Sequence, residues 1–236
     1  MIGKRVLTVL ALGCAALVGA CGSGGEGREN LVLTTGAQLL GELRAQRGRP
    51  EKPPVVQVTA QQLANTKVPA LQVNPERRGG SEFLRLLARR DDDGPGTVAV
   101  WRASDNTQVV LRNGVLVGTR GIGGDIISAE ADGTIAAVTG AREGGGARRY
   151  FLSDGGYADK ELVMSCDIRP LGSEVTQIAN LRFDTVHLRE RCIGGPDDAI
   201  TIVNHYWVQP GSGIVRRSQQ WAGPYSGQFE FLLLKN

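Results

Sequence analysis

The chain has 236 residues, 41% of them hydrophobic, with 27 Lys and Arg against 24 Asp and Glu for a formal charge of +3. This is enough length and apolar content for one large domain or two small ones with a real core. Two of the positive charges, Lys4 and Arg5, lie in a segment expected to be removed, so the rest is near neutral and lacks the clustered basic excess of a nucleic-acid binder.

The N-terminus reads as an export signal. Lys4 and Arg5 form a positive region, Val6 to Val18 an uncharged apolar one, and Val18-Gly19-Ala20-Cys21 a small-residue cut site before a cysteine. The apolar stretch is short of the roughly 20 residues that span a bilayer. A cysteine directly after the cut is the mark of a bacterial lipoprotein, so Cys21 is expected to carry the acyl chains that hold the protein on a membrane. Gly22 follows it rather than Asp. By analogy with sorting in enteric bacteria, this addresses the protein to the outer membrane, facing the periplasm. Residues 21–30, rich in Gly and Ser, are expected to be a flexible tether, and residues 31–236 a single β domain.

Leu39, Leu40 and Leu43 predict a helix within Thr34 to Arg47, and Val55 to Val58 a short strand. Thr59-x-x-Gln62 is a capping-box pattern for a short helix over Ala60 to Asn65. Val68 to Asn74 reads as a strand. Ser81 to Arg90 fits a helix or a buried strand. Asp91-Asp92-Asp93-Gly94 reads as a solvated acidic turn, without the ligand spacing of a calcium loop.

From Thr97 the apolar period is two. Strands are expected at Thr97 to Arg102, Gln108 to Leu111 and Val115 to Thr119, the last two joined by Asn113-Gly114, which suits a tight hairpin turn. Gly121 to Asp125 reads as a tight connection that Asp125 would hydrogen-bond. Further strands are expected at Thr134 to Thr139, Arg149 to Leu152, Glu161 to Ile168, Val175 to Ala179, Phe183 to Leu188, Ile200 to Val208, Ile214 to Trp221 and Gln228 to Leu233. Arg142 to Ala147 reads as a flexible loop between strands. The rhythm predicts an all-β, antiparallel meander forming a barrel or sandwich, with one or two short N-terminal helices.

Of the four cysteines, Cys14 leaves with the signal and Cys21 is acylated. Cys166 and Cys192 are left in an oxidising compartment and are expected to form a disulfide. His187 and His205 are the only histidines and have no zinc-ligand spacing to the cysteines. No cofactor or metal motif is present, and no Gly-x-Ser-x-Gly nucleophile. Asp125, Glu161, Glu174, Asp184, Glu190 and Glu230 offer carboxylates, with nothing to single out the pair a glycosidase needs. Aromatics near amides and carboxylates suit sugar binding, and Trp101, Tyr206, Trp207, Trp221 and Tyr225 with Asn204, Gln219 and Gln220 supply such a set. Asp125, Tyr206, Trp207, Gln219 and Trp221 are the candidate glycan or partner contacts.

Trp101-Arg102-Ala103-Ser104-Asp105, the run Asn113 to Ile126, Asn204-His205-Tyr206-Trp207-Val208 and the run Gly213 to Trp221 together resemble the signature segments of the YjbF/GfcB lipoproteins. Arg216 departs from the pattern, standing where an aromatic is common. The resemblance implies a β-barrel-like fold and a non-enzymatic part in exopolysaccharide or capsule production or export. It implies a polysaccharide or co-encoded envelope export proteins as partners, and it carries over no catalytic residue. A polysaccharide-modifying hydrolase and a purely structural assembly lipoprotein stay open as alternatives.

Overall fold

A computed structural model describes residues 51–153 and 160–236. The predicted signal, Cys21, the tether and the Thr34 to Arg47 helix lie outside the described residues.

The unit Lys52–Asn236 is one antiparallel sheet of twelve strands. In chain order they are β1 (Ala70–Pro75), β2 (Glu82–Arg90), β3 (Val98–Arg102), β4 (Gln108–Arg112), β5 (Val115–Arg120), β6 (Ile126–Glu130), β7 (Gly144–Leu152), β8 (Lys160–Ile178), β9 (Leu181–Gly194), β10 (Ile200–Gln209), β11 (Ile214–Trp221) and β12 (Gln228–Lys235). Two short helices accompany them, α1 (Ala60–Asn65) and α2 (Asp132–Thr139). Spatial order runs β5-β4-β3-β2-β1-β12-β11-β10-β9-β8-β7-β6. Every neighbour is therefore a chain neighbour except β1 and β12, which join the two ends of the meander.

The two free edges, β5 and β6, are consecutive in the chain and lie side by side, giving a nearly closed barrel. Closure removes the exposed edges that would otherwise template aggregation. At the seam the Ile126 amide donates to Thr119 Oγ1 at 2.9 Å. Side chains stand in for a neighbouring strand further along. Gln220 accepts from the Leu116 amide at 2.8 Å and donates to the Gly114 carbonyl at 2.8 Å, while Arg148 donates to the Leu116 carbonyl at 2.9 Å.

The inner face is filled from all round the barrel. Leu71, Trp101, Leu111, Leu116, Met164, Phe229 and Phe231 belong to one buried cluster. A second gathers α2 through Ile135, Ala137 and Val138 against inward residues of β5, β8, β9, β10 and β11, such as Val115, Ile168, Leu188, Tyr206 and Val215. A third packs Leu63 of α1 on Ile178 at the β8–β9 tip and Leu234 of β12.

Several expectations are corrected here. Thr134 to Thr139 is helix α2, not a strand. It lies so close to β7 that a Cβ on Gly133 would overlap the Gly145 carbonyl oxygen, and one on Gly145 would overlap that of Cys166. The glycine run 144–146 is accordingly not a flexible loop. It is the start of β7, paired with Ile168, Asp167 and Cys166 of β8. Val55 to Val58 joins no ladder and is not a strand. Glu161 to Ile168 and Val175 to Ala179 form one long strand, carried past Pro170 by a bulge between Pro170 and Gly172. Ser81 to Arg90 resolves as strand β2, and β6 was not anticipated.

Other local readings hold. Thr59 and Gln62 make both bonds of the capping box. Asn113 and Gly114 take positive φ of 45° and 84° in the β4–β5 turn. Cys166 and Cys192 face each other across β8 and β9 and are bonded. The acidic turn is tied down rather than merely solvated: Asp92 makes two bonds to Arg112, at 2.7 and 2.8 Å. That guanidinium and the Gly94 amide lower the Asp92 pKa to about 2.

Candidate functional site

Strand pairing on the outer face places side chains far apart in sequence in one line. Arg169 of β8 is opposite Arg189 of β9, Arg189 opposite His205 of β10, and His205 opposite Gln219 of β11. Gln219 is opposite Glu230 of β12, and Glu230 opposite Asn74 of β1. Alternation puts these residues on the outer side of the wall, because their neighbours Ile168, Leu188, Asn204, Tyr206, Ser218 and Phe229 are buried within, and of the six only Asn74 is itself covered, to 5% exposure. At about 4.8 Å per strand, the six positions span about 24 Å.

Two adjoining depressions cover this line. One, of about 540 Å³, is lined by Lys52, Pro53, Asn74, His205, Gln219 and Glu230 among others. The other, of about 510 Å³, is lined by Ser165, Asp167, Arg169, Arg189, Arg191 and Asp198 among others. Residues 52–56 form the wall of the first as an extended strap. Lys52 donates to the Glu76 carbonyl at 2.8 Å, the Gly80 amide donates to the Pro53 carbonyl at 2.7 Å, and the Val56 amide donates to Ser81 Oγ at 2.9 Å.

The floor is held rigid by charge and stacking. Arg217 donates to Glu230 at 2.8 Å, and Asn74 donates to the other Glu230 oxygen at 2.8 Å. The same guanidinium lies 4.4 Å from the Trp207 ring centroid. His187 stacks on Trp207 with centroids 4.3 Å apart, and the indole donates to Glu174 at 2.8 Å. His187 and His205 share a 2.9 Å hydrogen bond, which needs one ring nitrogen without a proton. Burial lowers both histidine pKa values. For His187 the Glu174 carboxylate opposes this, and for His205 the nearby His187, Arg189 and Arg217 add to it.

The sequence-predicted contacts scatter. Gln219 lies in the outer line and Trp207 beneath it, 6% exposed and covered by His187 and Arg217. Tyr206 is fully buried inside the barrel. Trp221 packs edge-on to Tyr150, centroids 5.1 Å apart, and its amide donates to Asn204. Asp125 accepts from Thr119, Gly121 and Ile122, closing the turn at the seam as the sequence suggested. His205, Arg189 and Asn74 escaped sequence reasoning because register, not spacing, aligns them.

A second polar constellation lies wholly inside. Glu190 and Arg148 form an ion pair at 2.6 Å with both side chains at 0% exposure. Glu190 also accepts from Thr134 at 2.5 Å, Asn204 at 2.6 Å and Tyr206 at 3.0 Å. Burial opposes the Arg148 charge, but Glu190 with the Tyr150 and Tyr206 oxygens outweighs it and holds the guanidinium above its ordinary pKa. Burial likewise raises Tyr206. With no exposed atom, this network joins β7, β9, β10, β5 and α2 rather than meeting a ligand. Cys166, Glu190 and Cys192 are close enough to share a metal ion, but the sulfurs are bonded to each other and the carboxylate is taken by Arg148.

A family model described as group 4 capsule polysaccharide lipoprotein gfcB, YjbF matches residues 40–234. Among solved structures, the hypothetical lipoprotein YmcC of Escherichia coli K12 is similar, with a TM-score of 0.64 and 19% identity over 76% of this chain and 90% of that one. At that identity the likeness shows a shared fold. No curated protein matches the chain. The segments that carried the resemblance divide between the barrel's two polar systems. Asn204, Tyr206 and Gln220 point inward to the network, and His205, Trp207 and Gln219 build the outer line. The chain belongs to the YjbF family of group 4 capsule polysaccharide lipoproteins.

Proposed function

We propose that this capsule-family lipoprotein acts without catalysis, holding a polysaccharide chain along its outer trough during production or export. Its acylated Cys21 fixes it to the outer membrane on the periplasmic side. The observation that carries the reading is the register-aligned line Arg169, Arg189, His205, Gln219, Glu230 and Asn74, which sets an amide, a carboxylate, an imidazole and guanidiniums along two adjoining depressions, with Asn74 buried beneath as support for Glu230. Sugars are bound by such groups through many hydrogen bonds spread over a length, and a pre-formed rigid floor lowers the ordering cost of binding. The carboxylates here serve as acceptors. Glu230 is held by Arg217 and Asn74, and Glu174 by Trp207.

The test is exported polysaccharide in a deletion strain complemented with wild type, Cys21→Ala, or the outer-face double variant Gln219→Ala/Glu230→Ala. Wild type restores export, and both variants fall well short while remaining folded. Full restoration by the double variant would remove the trough from the function. Polysaccharide unchanged by the deletion would remove the export role altogether.

A further inference from the structure

The trough is not uniform along its length, and its β8–β9 end has an excess of cations. Arg169, Arg189 and Arg191 line that end against two carboxylates, Asp167 and Asp198. Asp167 is taken by Arg169 through a 2.7 Å bond in which both side chains stay mostly exposed. Among the described residues, neither Arg189 nor Arg191 has a hydrogen-bond or ion-pair partner. Arg189 sits directly opposite Arg169 on one side and His205 on the other. Arg169 and Arg189 are like charges set opposite each other across a ladder, which is destabilising and favours a bound anion, while Arg191 stands opposite Asp167 in the same register. We propose that this end of the trough takes the acidic groups of a polysaccharide bearing uronic acids or comparable carboxylates, with the His205 to Asn74 stretch holding the neutral hydroxyls.

Arg is suited to this because its planar fork matches a carboxylate with two parallel hydrogen bonds. The rigid β9 strand places Arg189 and Arg191 on one face, two residues apart along the strand and so side by side across the width of the trough, where both face the same acid group of an extended chain. A single lipid headgroup or free phosphate would fill one guanidinium site and leave the rest of the line unused. That length favours a polymer over a membrane surface. The inference rests on the reading of the trough as a glycan site and adds the class of glycan.

The experiment is binding of the full-length lipoprotein in detergent to alginate, a uronate polymer, and to dextran, a neutral one, with phosphatidylglycerol vesicles as a third arm. Alginate is expected to bind more tightly than dextran and to weaken with salt. Arg189→Gln/Arg191→Gln is expected to lose about tenfold toward alginate and a clearly smaller factor toward dextran. Both side chains are exposed, and removing the Arg189 charge relieves its repulsion with Arg169, so the double variant should keep or slightly raise its melting temperature. Equal binding of alginate and dextran would overturn the acidic class and leave the trough standing. Arginine-dependent binding to the vesicles in preference to alginate would reassign this end to a membrane surface. Binding of neither polymer would overturn the trough reading itself, and this proposal with it.

Discussion

Glu190→Ala tests whether the interior ion pair organises the barrel. In the wild type, Glu190 is fully buried and accepts from Arg148, Thr134, Asn204 and Tyr206. Removing the carboxylate leaves the Arg148 guanidinium charged at 0% exposure, with the Leu116 and Tyr206 oxygens and the Tyr150 ring as its remaining partners among the described residues. Breaking a buried pair from one side typically costs about 3–5 kcal/mol, because the remaining charge is uncompensated. Each orphaned neutral donor adds to this, at about 1–3 kcal/mol when no water reaches it. For a chain of this size each kcal/mol lowers the melting temperature by about 2–4 °C. The expected loss is therefore roughly 10 °C or more, read by circular dichroism or calorimetry.

A double-mutant cycle with Arg148→Met sharpens the test. Removing both charges eliminates the uncompensated ion, so the double variant should be more stable than the sum of the singles predicts, by about 2 kcal/mol. A melting temperature within about 3 °C of wild type for Glu190→Ala, or strictly additive singles, would refute the view that this pair holds β5, β7, β9 and α2 together.

Three further outcomes are expected. Cys166→Ser should expose one free thiol at Cys192 and lower stability by about 3.5 kcal/mol, the chain-entropy value for a loop of this length; equal thiol counts for wild type and variant in denaturing, non-reducing conditions would contradict the bridge. Gly133→Ala should destabilise by about 1–3 kcal/mol, although Ala is the better helix former, because the added methyl collides with the Gly145 carbonyl; a gain in denaturation midpoint would show that α2 is not pressed onto β7. The histidine pair should make stability fall in mild acid. Both folded-state pKa values lie below the ordinary 6.5, so the unfolded chain takes up protons first. The contribution is complete above about pH 6.5 and is lost as pH drops through the lowered values. Urea unfolding from pH 7.5 to 5 should show this slope, and His205→Asn should flatten it; identical slopes would refute the assignment.

Local chemistry made much of the barrel readable. Period-two alternation in β3, β4, β5, β10, β11 and β12, the Asn113-Gly114 turn, the Thr59–Gln62 box and the Cys166–Cys192 pair each act over a few residues or follow from counting. The errors fall where a distant partner decided. Thr134, Ile135 and Val138 carry β-branched side chains, and their short run read as a strand. It is a helix because the barrel interior there is lined by apolar walls, and because Gly144, under Ala137, and Gly133, over the Gly145 carbonyl, let it lie against β7. Residues 144–146 read as a loop because glycine carries no strand pattern, but they pair with β8. Glu161 to Ile168 and Val175 to Ala179 read as two strands, yet a bulge between Pro170 and Gly172 carries them on as one.

The functional surface divides in the same way. Gln219 and Trp207 were visible as residue types that suit sugars, and the family segments pointed to their neighbourhood. The line from Arg169 to Asn74 was not visible, since its members come from β8, β9, β10, β11, β12 and β1. A shift of one residue in any of those pairings would turn a whole strand's outward set inward. The amino-acid order settled most of the strands, the disulfide and the family. Only closure of the sheet decided which polar residues meet inside the barrel and which stand together on its face.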